Sequence, residues 1–399
     1  MAGRRARLHA GARVDARGQG GTRRGLAPAP AHHGEPALDR RCRASGRGPR
    51  FRTRGAPWRD RTVRADRLHP AAVTAGLAAL LAVAAAAGLL FGGAPGVGPA
   101  EIVAAIAGQA PPDPIARALL FEVRLPRVLL LALAGAALAA SGAALQACLE
   151  NPLADPGLLG LSGGAAVGAV AAHAGGLAAR WPASVPAAAF GGALAAVAVV
   201  YALAHAAGRP TTGTLLLTGV AVGSLASSLV SVMLLSTGSH RVHEIFAWLL
   251  GSAEGASWDE VRLATLPVLA GLGALLALGR LVDALALGEE HAAGVGVDLL
   301  KGRAVLLAAV SLTAGSAVSV VGPIGFVGLM VPHMLRGLTG AAARALLPAS
   351  AIGGAALLVA ADLLARTASR RFEVPVGVVT ALLGVPFFLF LLHRSRTRH

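Results

Sequence analysis

Residues 280–303 read RLVDALALGEEHAAGVGVDLLKGR, and apolar runs long enough to cross a bilayer stand on both sides. Seven charges fall in these 24 residues (Arg280, Asp283, Glu289, Glu290, Asp298, Lys301, Arg303), which makes this the most charged break past residue 100. A polar segment between spanning runs must lie in water at the membrane surface, because lipid offers its backbone and charges no partners. Two readings of it stand side by side: an ordinary solvated loop, or the place where something outside the membrane grips the embedded part.

Outward from this break, composition is that of a polytopic membrane protein. The chain is 55% hydrophobic and 14% charged, with a mean hydropathy of +0.65, far from a soluble domain. The 52 glycines and 4% aromatics imply helices that approach closely where lipid gives no hydrophobic drive. The expected fold is all-α with about ten transmembrane helices. The spans fall near 71–92, 127–148, 160–178, 187–207, 213–236, 261–280, 304–321, 322–337, 345–364 and 376–392. Trp248 and Trp258 flank a short interfacial helix before the sixth span.

Three segments follow: an Arg-rich extension over 1–70, a membrane domain over 71–393 and a tail over 394–399. Residues 1–70 carry 18 arginines and five acidic residues, leaving +3 of the net +16 for the rest. With no apolar periodicity they are expected to be disordered. They suit a polybasic segment on anionic lipid, a nucleic-acid tail, or a start assigned too far upstream. Since the basicity belongs to a tail, the folded part is expected to have membrane lipid but no nucleic acid as a partner. By the positive-inside rule both termini are cytoplasmic. Cys42 and Cys148 form neither a disulfide framework nor a metal cluster.

Local signals mark the junctions. Arg124-Leu125-Pro126-Arg127 places two arginines at an outward-facing helix start, against the positive-inside bias. Lipid-phosphate snorkelling and docking of an acidic partner both account for them. Asn151-Pro152 and Asp155-Pro156 are turn dipeptides, with Asp155 able to cap the next helix and Pro156 at its first position. Gly164 and Gly168 give the third span a small-xxx-small face. Gly322, Pro323 and Pro332 bracket GPIGFVGLMVPHMLRG, a run short for a crossing and expected to be broken and buried by neighbours. His173, His205 and Asp362 are the main ionisable groups inside spans, read as structural or interfacial. An ion-coupled carrier working alone would keep charges at mid-depth, and no GxxxxGK[ST] is present for ATP.

RLPR, NPLADPGLLG with the following Ser-Gly-Gly-Ala, LGEEHAAGVGV, GPIGFVGLMVPHMLR and EVPVGVVTALLGVPFF occur in this order. Over residues ~70–393 the chain resembles the permease subunit of binding-protein-dependent ABC importers, the FecCD-type family that takes up iron–siderophores, haem and cobalamin. The basic tail has no counterpart in that pattern. The resemblance implies a homodimer in the bacterial inner membrane, two ATP-binding cassette subunits on its inner face and a periplasmic substrate-binding protein outside. It implies that Leu287, Gly288, Glu289, Glu290, Ala292, Gly294, Val295 and Gly296 form the ATPase-coupling loop. Arg124, Arg127 and Arg366 match the family's binding-protein docking arginines. The chain itself is expected to be no enzyme and to bind no cofactor, with ATP and Mg on the partner ATPase. The leading cargo is an iron complex, with cobalamin as the alternative.

Overall fold

The structure is a computed structural model that describes residues 69–91, 99–106, 114–208, 210–368 and 373–396. The 1–68 extension, Arg370, Arg371 and residues 397–399 lie outside the described residues. Among the described residues all regular structure is helical. In chain order come α1 (Pro70–Leu90), α2 (Pro99–Ile106) and α3 (Pro114–Ala118), then a π-helical turn over Leu119–Arg124 that runs into α4 (Leu125–Cys148). A 3-10 turn over Pro156–Leu159 leads to α5 (Leu161–Ala174), α6 (Leu177–Arg180), α7 (Ser184–Ala206), α8 (Thr212–Leu235) and α9 (Ser239–Leu249). The rest is α10 (Trp258–Ala277), α11 (Gly279–Ala286), α12 (Glu289–Gly294), α13 (Leu299–Val321), α14 (Val327–Thr339), α15 (Ala343–Ala368) and α16 (Val376–Arg396).

Each of the ten expected spans coincides with a helix, but they differ in kind. Among the described residues seven helices are long and apolar enough to cross a membrane: α1, the segment ending in α4, α7, α8, α10, α13 and α15. The third span is shorter than expected, ending at Ala174, where Gly175 and Gly176 stop α5. The eighth begins five residues late, at Val327, because Gly322–Phe326 is non-helical. The apolar stretch of α16 is Val376–Leu391. α1, α8 and α13 are apolar all round, as expected where lipid and protein neighbours are equally oily.

α4 and α13 are the innermost of the long helices, while α1 and α8 are the most exposed. Backbones touch at glycine pairs. A Cβ on Gly135 would strike the Gly354 carbonyl, and one on Gly142 the Gly328 carbonyl, which sets α4 directly against α15 and α14. Gly164 and Gly168 of α5 meet Gly192 and Ala188 of α7 in the same way.

Candidate functional site

Two groups of residues occupy opposite ends of α4 and α15. Helices of 24 and 26 residues are roughly 36–39 Å long, a little more than the ~30 Å hydrocarbon thickness. Each helix therefore carries one end of the bundle to each membrane surface.

At one end the three predicted arginines converge, and all are buried. Arg124, Arg127 and Arg366 are 3%, 6% and 8% exposed. α1 has no basic residue in its last turn, so its final carbonyls need donors from elsewhere. Arg124 Nη1 donates to Leu89 O at 2.7 Å and Leu90 O at 3.2 Å, and Arg366 Nη2 to Gly88 O at 3.2 Å. The second fixed point is Asp362, 1% exposed. Its Oδ1 accepts Arg127 Nε at 3.1 Å and Nη2 at 2.9 Å. Its Oδ2 lies 2.9 Å from Arg366 Nε as an ion pair without hydrogen-bond alignment. Arg127 Nη1 reaches Glu373 Oε2 at 2.9 Å, and that carboxylate is 42% exposed. The arginines that run against the positive-inside bias thus act inside the bundle, where they cap α1 and neutralise Asp362. Asp362 is read from sequence as a structural or interfacial residue without its partners, and Glu373 is the member of this group that sequence reading misses. The four-residue spacing of Asp362 and Arg366 is the available signal for the first.

At the other end lies the charged segment. α10 passes through Leu278 into α11, and Gly288, at φ +101°, turns the chain into α12 with a backbone that only glycine adopts freely. Val282 and Leu285 bury one face of α11, and Ala292 buries the centre of α12. The opposite face is open: Leu287 is 60% and Val295 73% exposed, with Glu290, Gly294 and Gly296 exposed beside them. The segment is fastened below. Glu289 Oε1 accepts Arg303 Nη2 at 2.7 Å, and Arg303 Nη1 donates to Pro210 O at 3.2 Å. Asp283 Oδ1 accepts the backbone N–H of Ala343 at the start of α15, at 2.7 Å. Asp298 caps α13, and the Lys301 N–H it accepts holds its carboxylate below the usual range. The exposed face, with Leu287 and Val295 set among Glu289, Glu290 and His291, is thus fixed to α13 and α15.

The turn motifs at Asn151, Asp155 and Pro332 support this same half of the molecule, while Gly322 and Pro323 close the far end of α13. Asn151 Oδ1 accepts Leu153 N–H at 2.9 Å, forming an Asx turn with Pro152 inside it. Asp155 Oδ1 accepts Gly157 N–H at 2.9 Å, and Pro156 opens the 3-10 turn. Pro332 in α14 has no N–H for Gly328 O. Gln146 Nε2 replaces it at 3.1 Å, and Gln146 Oε1 in turn accepts Arg336 Nη2 at 2.9 Å. Gly322, at φ +72°, ends α13 against the Trp248 carbonyl, and the Pro323 carbonyl lies against Gly251.

Burial pushes the Asp155 carboxyl up to about 6, against the pull of the Gly157 hydrogen bond. A carboxyl raised in the folded state stabilises it most below the ordinary carboxylate range, and this contribution is lost as pH rises through about 6. Asp155→Asn keeps the cap acceptor and removes the titration. We expect it to raise the unfolding midpoint at pH 7.5 and to flatten its dependence on pH between 4 and 7. The ceiling is ~3 kcal/mol for a shift of about two units. An unchanged pH dependence of thermal unfolding in detergent would refute this.

Comparison with known proteins gives the same outline. A model of the FecCD transport family matches residues 79–394. A cobalamin import system permease protein of Halobacterium salinarum is 45% identical over 283 residues, 71% of this chain and 75% of the relative. A vitamin B12 import system permease protein of Vibrio cholerae is 42% identical over 69% of this chain and 83% of its own length. A hemin transport system permease protein of Yersinia pestis is 39% identical over the same shares. Among solved structures, an inward-facing transporter assigned to the metal-chelate type of ABC transporters aligns with a TM-score of 0.71 and 28% identity. That alignment covers 81% of this chain and 99% of the other.

Proposed function

This chain belongs to the FecCD transport family, and from that premise we propose that it carries cobalamin through the cytoplasmic membrane as the permease subunit of an ABC importer. The coarser part of this statement, a multi-pass importer permease, follows from the family itself. The observation that carries the mechanism is the exposed α11–α12 platform, tied through Glu289–Arg303 and Asp283–Ala343 to two long helices. ATP and Mg act on a partner ATPase seated there rather than on this chain. α1 starts and α16 finishes on the platform side, and the platform side is cytoplasmic in this reading because the partner ATPase sits there. The arginine end then faces outward, and a binding protein docks over it with the half-exposed Glu373 at the rim. A second copy completes the path.

Cobalamin leads because several relatives named for cobalamin or vitamin B12 import are 42–45% identical to this chain. An iron complex, the expectation from sequence, keeps the support of the hemin relative. The test is uptake into proteoliposomes holding this chain with its cognate ATPase and binding protein, offered labelled cobalamin, haem and a ferric siderophore. ATP-dependent uptake of cobalamin is expected. ATP-dependent uptake of an iron complex alone would move the cargo assignment. Uptake that ignores ATP and follows an ion gradient would overturn the importer mechanism in favour of a secondary carrier.

A further inference from the structure

One pocket lies on the flank of the bundle, where the π-helical turn next to the arginine end meets α10. It has a volume of about 890 Å³ and is lined by Glu122 on one side and by Trp258, Val261, Arg262, Thr265, Leu266 and Leu269 on the other. Its construction begins with a proline. In the turn over Leu119–Arg124 the Leu125 N–H bonds to Leu120 O. The next carbonyl, Phe121 O, would take the N–H of residue 126, but that residue is Pro126 and has none to give. Trp258 Nε1 donates to Phe121 O instead, at 2.9 Å. This bond pins the first residue of α10 to the turn and fixes the head of the groove at the level of the arginine end.

From that head the lining descends α10 at positions 258, 261, 262, 265, 266 and 269, one stripe at helical spacing that is apolar below Arg262 except for Thr265, whose hydroxyl donates to Val261 O of its own helix. Trp258 to Leu269 is eleven residues, about 16 Å of rise, and half of the ~30 Å hydrocarbon core is one leaflet. Leu266 is 77% and Leu269 54% exposed, so the lower part of the stripe is open to the hydrocarbon. Its head is charged. Arg262 Nη1 is 3.2 Å from Asp259 Oδ1, an exposed pair with side chains 75% and 91% accessible, which leaves the guanidinium available to a stronger anion. Glu122, exposed on the opposite wall, adds a second carboxylate. One guanidinium with two carboxylates favours a headgroup with both signs. A phosphate suits Arg262 and an ammonium with N–H donors suits Glu122. An anionic headgroup would face two carboxylates, and a quaternary ammonium has no N–H to donate.

We infer that this groove binds one phospholipid with an aminoethyl phosphate headgroup, its phosphate on Arg262, its ammonium on Glu122 and an acyl chain along Val261, Leu266 and Leu269. The test is native mass spectrometry of the full chain after equilibration with equal amounts of palmitoyl-oleoyl phosphatidylethanolamine, phosphatidylcholine and phosphatidylglycerol. Retention of phosphatidylethanolamine about fivefold above the other two is expected, the size of one good exposed charge pair. Glu122→Gln should bring the ethanolamine-to-glycerol ratio close to one, and Arg262→Gln should lower retention of all three. Equal retention of the three lipids by the unaltered chain, a preference for phosphatidylglycerol, or an ethanolamine preference untouched by Glu122→Gln would overturn the assignment. The unaltered chain alone decides headgroup preference, and unchanged unfolding midpoints separate loss of binding from loss of fold.

Discussion

Asp362→Ala is expected to destabilise the membrane domain by about 3–5 kcal/mol, the usual cost of removing one partner from a buried ion pair. The reason is the company the carboxylate keeps. Arg127 and Arg366 are both nearly enclosed and both directed at Asp362. Without it, two guanidinium groups remain in a low-dielectric interior with only Glu373 and the α1 carbonyls to oppose them. Water cannot make up the loss at that depth without opening α1 from α15. The measurement is the unfolding midpoint of purified protein in one detergent. A companion variant separates charge from volume: Asp362→Leu combined with Arg127→Met and Arg366→Met removes the whole network. It should recover most of the lost stability, since a well-packed apolar replacement of a buried ionic cluster is often neutral or better. An Asp362→Ala protein that unfolds where the unaltered chain does would show that the cluster is solvated.

The second large effect lies at the helix crossings. Gly135→Leu is expected to prevent recovery of a monodisperse protein from membranes. A Cβ at this position meets the Gly354 carbonyl and presses on the Ala355 backbone. These are backbone atoms of a helix held on its other faces by α1 and α14, so they cannot give way as a flexible side chain would. Helix association in lipid rests on close van der Waals contact, and separating α4 from α15 forfeits many such contacts at once. Gly191→Leu is the matched control: nothing lies within 4 Å of the added Cβ, and leucine is the better helix former. That variant should purify as the unaltered chain does. Equal behaviour of the two variants would mean that the crossing relaxes.

These two expectations mark the line between local and tertiary information. Spanning runs, the charged break at 280–303, the Asn151-Pro152 and Asp155-Pro156 turns and the short helix before the sixth span are legible from sequence. Each depends on residues a few positions apart: an apolar run, a cap, a proline without an N–H. The small-xxx-small face of α5 is legible too, but its partner is not, because nothing local says that Gly164 will meet Gly192. The ends of α5 and α14 depart from expectation for a related reason. Hydropathy continues through Gly175 and Gly322, whereas the helices stop where glycine backbone turns.

By itself the sequence determined the class of the molecule and the order of its elements, since apolar length and turn chemistry are sufficient for a chain that must satisfy its backbone within lipid. Tertiary structure alone decided which groups of the chain the arginines touch. Arg127 and Asp362 are 235 residues apart, and Arg366 and Gly88 are 278 apart. Only the antiparallel packing of α4 and α15 beside α1 brings these groups within hydrogen-bonding distance. A guanidinium read in isolation shows no partner within the chain. In the assembled bundle it is enclosed, and the cost of enclosing it requires that carboxylate and carbonyl partners come with it.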